Sequence, residues 1–584
     1  MFNKPVPIIA AVATLAAVIP LTAGSIAAAA SHPAPAVTYH AVRGAAHRLA
    51  HAASVSSFHA VREGLTTRQI RRLTRFRSPA GPYPAAMVTH RRATKVRATA
   101  RLRDADDGAF VLHNFNGLSN SDVFKIFGQN EPVTPPDQGL CVGHDVTLPG
   151  DPKAVFEPVN VEIRETTPDG TLLRPDVGGP TFYQDPFSDG DVRCLYDPST
   201  QTFFFTQVGF PVATGPAPAL NNTTADVLVM NSHGVAAYQF DTSLGGPTKH
   251  SCLGDQPKTG FDNNALVIST DEFCGPTDSN FEGALVLVIS KSQLVSEAAT
   301  VNDAALGPLS LAHAPVLGLD PAIDTGSGED YLVDSVSFLA DGFTPNPVGD
   351  TLGVWTLRNT GSVTTGVGTP KITGTVVPSE QYAFPVPAAS TGDGSTFADP
   401  PWTITSEPQL QPDDSRISGP VSVTNGPDGI RLWTALDAAV TPDGASAPQD
   451  AAAWFEVDPV QPRVVNQGYV TAPVGASLLY PAVAAGRYGP AAMTFTITSS
   501  TINPSAAFTT LGSPAITVAA AGTAPHQSFS DAPPFNNARW GDYSFAVADP
   551  ENGGVWLATE YIPPAAFQAE IDNWGTDVFE VIGP

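Results

Sequence analysis

From Cys141 onward, apolar residues fall in short runs punctuated by turn residues, and helical spacing is scarce. Runs such as "TFFFTQ" and "ALVLVIS" are apolar almost throughout, while "DPST", "DNN" and "PENGG" separate one run from the next. Short continuous apolar runs of this kind predict strands buried on both faces, because a strand with one wet face would alternate. The 56 Pro and 51 Gly of the chain fit the same picture of many strands and many turns.

The runs recur. One series passes through Phe204, Val267, Leu332, Trp433, Phe495 and Trp556, at separations of 63, 65, 101, 62 and 61 residues. A second series, Leu228, Leu287, Trp355, Phe455, Val518 and Phe579, follows the first by 20 to 24 residues. A third strand precedes most members of the first series, in "VRCLYD", "PKTGFD", "PVSVTN", "PAVAAG" and "YSFAVAD". An earlier, shorter copy starts at "GLCVGHD" and makes seven units. The long interval is accounted for by a Pro/Gly/Ser-rich insertion near 358–412. Small repeated sheets cannot bury their own faces and must stack, which predicts an all-β fold, a β-propeller over 116–584. Seven blades are expected, with six as the runner-up, and a pair of β-sandwiches is the competing architecture.

Four cysteines allow three pairings. Cys252 and Cys274 lie eleven residues either side of Asn263, where a hairpin turn is expected, and so should join; Cys141 and Cys194 then occupy matching places in adjacent units. Disulfides suit export, and residues 1–30 read as a signal peptide: Lys4, an apolar stretch from Val6 to Leu21, then small residues ending at Ala30. Residues 31–115 form a basic Ala/Arg/His-rich leader, expected to be disordered or a propeptide, with an intramolecular partner for the rest of the chain as one reading.

Charge divides the chain sharply. Fifteen of the 30 Lys and Arg precede Asp104 with only one of the 56 acids, Glu63, which leaves 15 basic and 55 acidic side chains beyond it. A body of formal charge −40 argues against nucleic acid and anionic lipid as partners, and no stretch after the signal peptide is long and apolar enough to span a membrane. A secreted, extracellular monomer is expected.

"PPDQGLCVG", "EPVNVEI", "GDVRCLYDPSTQTFFFTQ", "DQPKTGFDNNALVIST" and "RWGDYSFAVADP" resemble recurring phrases of large secreted bacterial proteins with a sialidase-like β-propeller domain. The resemblance runs from about Asn116 to the C-terminus. It implies the propeller and no particular activity, since that group is mostly without an assigned one.

Candidate chemistry follows from the acids at the unit starts. Asp191, Asp255, Asp413 and Asp542 precede first strands, and Asp197 and Asp262 end them. Gathered at one mouth, such carboxylates could hold Ca²⁺, with Asp189 and Asp191 as possible ligands, or act as an acid and base pair on a glycoside. Capping of turn N–H groups is the plainer role for each. Arg193, Arg416 and Arg539 also fall near unit starts. The one approach to an Asp box, Ser390–Phe397 around Asp393 and Gly394, has the wrong spacing. His526, Ser528 and Asp531 are close in sequence, which is weak support for a triad. Zinc, nucleophile-elbow and P-loop motifs are missing. The expected function is a non-catalytic binding module for a glycan, peptide or envelope component, with a glycoside hydrolase or polysaccharide lyase as the alternative. In either case Asp542, Arg539, Asp255 and Asp191 are the candidate site residues.

Overall fold

The computed structural model describes residues 36–48, 94–96, 101–104, 111–128, 133–185, 190–209, 223–242, 252–274, 280–336, 348–392, 409–486, 491–513, 515–528, 538–568 and 572–582. The expected signal peptide lies outside them.

The described residues are mostly β-strand with a few short helices, and the strands form antiparallel meanders in sequence order. The first sheet contains Cys141–His144, Lys153–Val159, Glu162–Thr166 and Val177–Gly178. The second contains Arg193–Asp197, Thr202–Gly209, Thr224–Asn231 and Gly234–Asp241. The third is Cys252–Phe261, Ala265–Cys274, Asn280–Ser290 and Thr300–Leu311. The fourth is Asp320–Pro321, Asp330–Ser335, Val348–Arg358 and Lys371–Ala383, touching the fifth through the single pair Ala383 and Ala439. The fifth is Ser422–Gly426, Gly429–Pro442, Gln449–Asp458 and Arg463–Val470. The sixth is Ala476–Ala485, Ala491–Ser499, Ile502–Thr510 and Ala515–Ala520. The seventh takes Phe545–Ala548, Val555–Tyr561 and Gly575–Val581 from the C-terminal end and completes itself with Val111–Ser119 from the N-terminal side.

Packing closes these sheets into a ring. Phe156 of the first sheet meets Phe203 and Phe205 of the second edge to face. Phe204 and Val227 of the second pack with Leu266 and Leu287 of the third, and Val267 and Val288 of the third with Trp355 and Ile372 of the fourth. Val354 and Tyr382 pass the core on to Leu432 and Phe455, Ala435 and Ala452 to Leu478 and Phe495, and Ala484 and Phe508 to Leu557 and Phe579. Finally Trp556 and Val578 of the seventh sheet pack on Val142 and Val155 of the first. Each sheet therefore has two dry faces. That is why the second strands carry unbroken apolar runs: Thr202–Gly209, Ala265–Cys274 and Ala491–Ser499 are buried at every position.

All six anchors of the first sequence series lie in second strands, and five of the second series lie in third strands. Val518 is the exception: it sits in a fourth strand, because a tight turn at Ser499–Ile502 brings the third strand of the sixth sheet in early. The insertion near 358–412 is only partly an insertion, since it contains the fourth strand of the fourth sheet, Lys371–Ala383. The leader, expected to be disordered or a propeptide, lays Val37–His40, Val42–His47 and Arg101–Asp104 along fourth strands, and Thr94–Val96 parallel to the end of a second strand, Gly429–Pro442.

Cys252 is paired with Cys274 across the hairpin whose turn holds Asn263, and Cys141 with Cys194 between the first strands of neighbouring sheets. No helix among the described residues is long and apolar enough to cross a membrane.

Candidate functional site

The entrances of the first strands converge at one end of the ring. Each first strand, or the segment leading into it, has one residue in the left-handed region: Asp137, Asp191, Gly318, Asp413 and Gly541 ahead of their strands, and Gln256 and Tyr480 at a register break within theirs, with φ between 47° and 65°. Asp and Gly adopt this conformation at small cost, but a bulky Tyr does so only when surrounding contacts hold it. Tyr480 is held by its N–H, which donates to both carboxylate oxygens of Asp437 at 3.1 Å, and by its hydroxyl, which donates to the Gln411 carbonyl at 2.9 Å.

Side chains from five of the seven units, most of them just ahead of a first strand, meet across the axis. Arg416 grips Asp414 with two nitrogens, Nε to Oδ1 at 2.9 Å and Nη2 to Oδ2 at 2.6 Å, and also reaches Asp413 at 3.0 Å. Its Nη1 donates to Gln256 Oε1 at 2.9 Å, and Gln256 Nε2 donates in turn to Asp542 Oδ2 at 3.1 Å. Arg539 closes the chain on the other oxygen of Asp542. Opposite, Asn160 donates to Asp137 Oδ2 at 2.7 Å while its own oxygen accepts the Asp191 N–H at 2.7 Å. Carboxylate oxygens of Asp137, Asp191 and Asp542 thus come within 4.8 Å of one another, from the first, second and seventh units.

Three carboxylates at that spacing repel strongly where the surroundings exclude water. Burial and then Asp542 and Asp191 push the Asp137 carboxyl well above its ordinary range. Burial and then Asp542 push Asp191 up to about 6. Asp255 is raised by burial, Asp191 and Asp271, the last directly opposite it in the ladder. Asp413 is raised to about 7 by burial, against the pull of Arg416. Asp542, whose side chain is 11% exposed, accepts from a guanidinium and an amide, the arrangement that supports a negative charge. The group can share a proton, or it can gather around a hard divalent cation such as Ca²⁺, to which Asp137 would offer an oxygen with no hydrogen-bond partner.

The arginines expected near the unit starts all reach the axis, in different roles. Arg416 and Arg539 are engaged by Asp414, Asp413 and Asp542. Arg193 is buried with its guanidinium carbon over the Tyr543 ring, 3.4 Å from the centroid, while the Tyr543 hydroxyl donates to the Val192 carbonyl at 3.2 Å. A substrate carboxylate would therefore have to compete with aspartates for two of the three.

Asp197 and Asp262 do something simpler. Asp197 accepts from the Ser199 N–H and hydroxyl, and Asp262 from the N–H groups of Asn264 and Ala265; both cap the turn after the first strand. Asp189, Asp393, Gly394 and Asp531 lie outside the described residues. Ser528 donates instead to Asp572 Oδ2 at 3.2 Å, and His526 lies edge-on to Trp540.

Sequence reasoning missed Asp137, Asn160 and Gln256. The signal for Asp137 was present: "DQGLCVGHD" and "DQPKTGFD" share the Asp-Gln start and the terminal Asp. Asn160 had none, because it reaches the site from the turn between the second and third strands of the first sheet.

No protein-family model and no curated sequence relative matches the chain. Among solved structures it is similar to an arginine-to-alanine mutant of AofleA from Arthrobotrys oligospora, at 8% identity and TM-score 0.34 over 74% of this chain and 97% of that one. It is also similar to the α-L-arabinofuranosidase Arb93A from Fusarium graminearum, at 13% identity and TM-score 0.34 over 68% and 94% of the two chains. A subtype N10 neuraminidase-like protein of A/little yellow-shouldered bat/Guatemala matches at 9% identity and TM-score 0.30, over 61% and 90%. Likenesses this distant do not bear on chemistry.

Proposed function

We propose that the ring of sheets is a seven-bladed β-propeller of a secreted protein, and that its axial group is a carbohydrate-active centre that cleaves glycosidic bonds. One observation carries the reading: Asp137, Asp191 and Asp542 meet within 4.8 Å from three separate units, with Arg539 on Asp542. Glycoside cleavage needs one carboxyl that keeps its proton and one that carries charge, and their environments must differ. Asp191, and behind it Asp137, are the acid side of the pair. Asp542, steadied by Arg539 and Gln256, is the group that faces the developing positive charge on the sugar. Oxygens this close are nearer the roughly 5–5.5 Å of retaining enzymes than the roughly 6.5–9.5 Å of inverting ones, which have to admit a water.

The test is a panel of aryl glycosides and polysaccharides on the full chain, with product configuration followed by NMR. Retention is expected. Asp191→Asn and Asp542→Asn should each lower kcat by at least about 100-fold. Turnover unchanged in both variants removes this group from the chemistry. Saturable glycan binding with no turnover would make the same centre the non-catalytic binding site expected from the repeat and the missing catalytic motifs.

A further inference from the structure

The fourth strand of each sheet lies on the outside of the ring, where its free edge presents unpaired N–H and C=O groups. On three neighbouring sheets that edge is covered by one short piece of the leader. Val37–His40 runs antiparallel to the fourth strand of the fourth sheet, from Val37 opposite Gly374 to His40 opposite Lys371. Val42–His47 continues along the fourth strand of the third sheet, from Val42 opposite Ala305 to His47 opposite Thr300. Arg48 then bridges to Tyr238 in the fourth strand of the second sheet.

The fit is specific to this segment. Ala46 joins the core between the second and third sheets, and Tyr39 exchanges hydrogen bonds with Ser310, its hydroxyl donating to the carbonyl at 3.0 Å and accepting from the N–H at 2.9 Å. Gly44 lies on Asp303, so that a Cβ there would fall 2.7 Å from a carboxylate oxygen. Arg48 pairs with Glu297 at 2.9 Å, basic leader to acidic body. Yet most of the segment's side chains face solvent, Val42 being 62% exposed, so the segment is held mainly by its ladder. Elements with few buried contacts open at lower free energy than the core.

We propose that residues 36–48 are a detachable clasp, and that the outer edges of the second, third and fourth sheets form a docking surface for one extended strand with a glycine over Asp303 and a cation at Glu297. In the intact chain that strand is its own leader, which covers edges that would otherwise be open to pairing.

The experiment uses the full chain with a specific protease site substituted at residues 50–56, and a labelled synthetic peptide of residues 36–48 as the probe. After cutting, the labelled peptide should exchange into the protein; in the uncut chain the tethered segment should suppress uptake by about 100-fold or more. A Gly44→Val peptide should bind at least about ten-fold more weakly. Equal uptake before and after cutting, or equal binding by the Gly44→Val peptide, overturns the proposal. So does an uncut chain that elutes at twice its mass and exchanges segments between copies, because the occupant would then be a second molecule. Hydrogen exchange on the uncut Gly44→Val chain gives a reading without cleavage: faster exchange confined to the Thr300–Leu311 edge is expected, and unchanged exchange there refutes the clasp.

Discussion

Replacing Asp191 with Asn separates a shared proton from a shared cation at the axis. Asp191 is raised from an ordinary value of 3.8 to about 6, by burial and by Asp542. At about 1.4 kcal/mol per unit, the ionised form is disfavoured in the folded protein by roughly 3 kcal/mol. Because the folded value is the higher one, this carboxyl leaves stability intact below about pH 4 and diminishes it as pH rises through about 6. Asn keeps an oxygen to accept the Gln256 N–H but removes the charge. Asp191→Asn should therefore match the parent near pH 4 and exceed it near pH 8 by roughly 3 kcal/mol. For a folded unit of this size the unfolding entropy is on the order of 1 kcal/mol/K, so the gain is about 3 °C in Tm. Paired calorimetric scans at the two pH values measure it. A gain of the same size at both pH values would refute the electrostatic origin. A loss of stability at pH 8 would refute the shared proton and show the carboxylates working together on a cation.

Other consequences can be measured independently. Phe204, fully buried between the second and third sheets, should cost roughly 3–5 kcal/mol when changed to Ala, read as a lowered midpoint in urea. Gly374→Ala places a methyl 2.7 Å from the Trp355 ring and should destabilise by roughly 1–3 kcal/mol, whereas Gly512→Ala, with open space around it, loses only what its positive φ imposes. Removing the Cys141–Cys194 link with a double Ala variant frees a loop of 53 residues, worth about 4 kcal/mol by chain entropy, and thermal unfolding under matched conditions checks it.

The sequence by itself determined the strands and their repetition, because a strand with two dry faces needs an unbroken apolar run, as at Phe203–Phe205 and Leu285–Ile289. It also determined local partners: Cys252 with Cys274 across a turn, and the caps made by Asp197 and Asp262, since each involves residues on the same hairpin. It misplaced Val518 because a repeat read at even spacing cannot register one tight turn. It said nothing of leader strands, because pairing on an outer edge uses backbone groups that every sequence has. Only the tertiary structure decided which aspartates meet. Asp137, Asp191 and Asp542 are hundreds of residues apart at the extremes; their place before a first strand sets them apart from Asp197 and Asp262, which end one, but Asp255 and Asp413 share that place and do not join the three. Ring closure brings one end of every first strand to the axis and the other to a turn, so the same residue type becomes a cap at one end and part of a shared carboxylate group at the other.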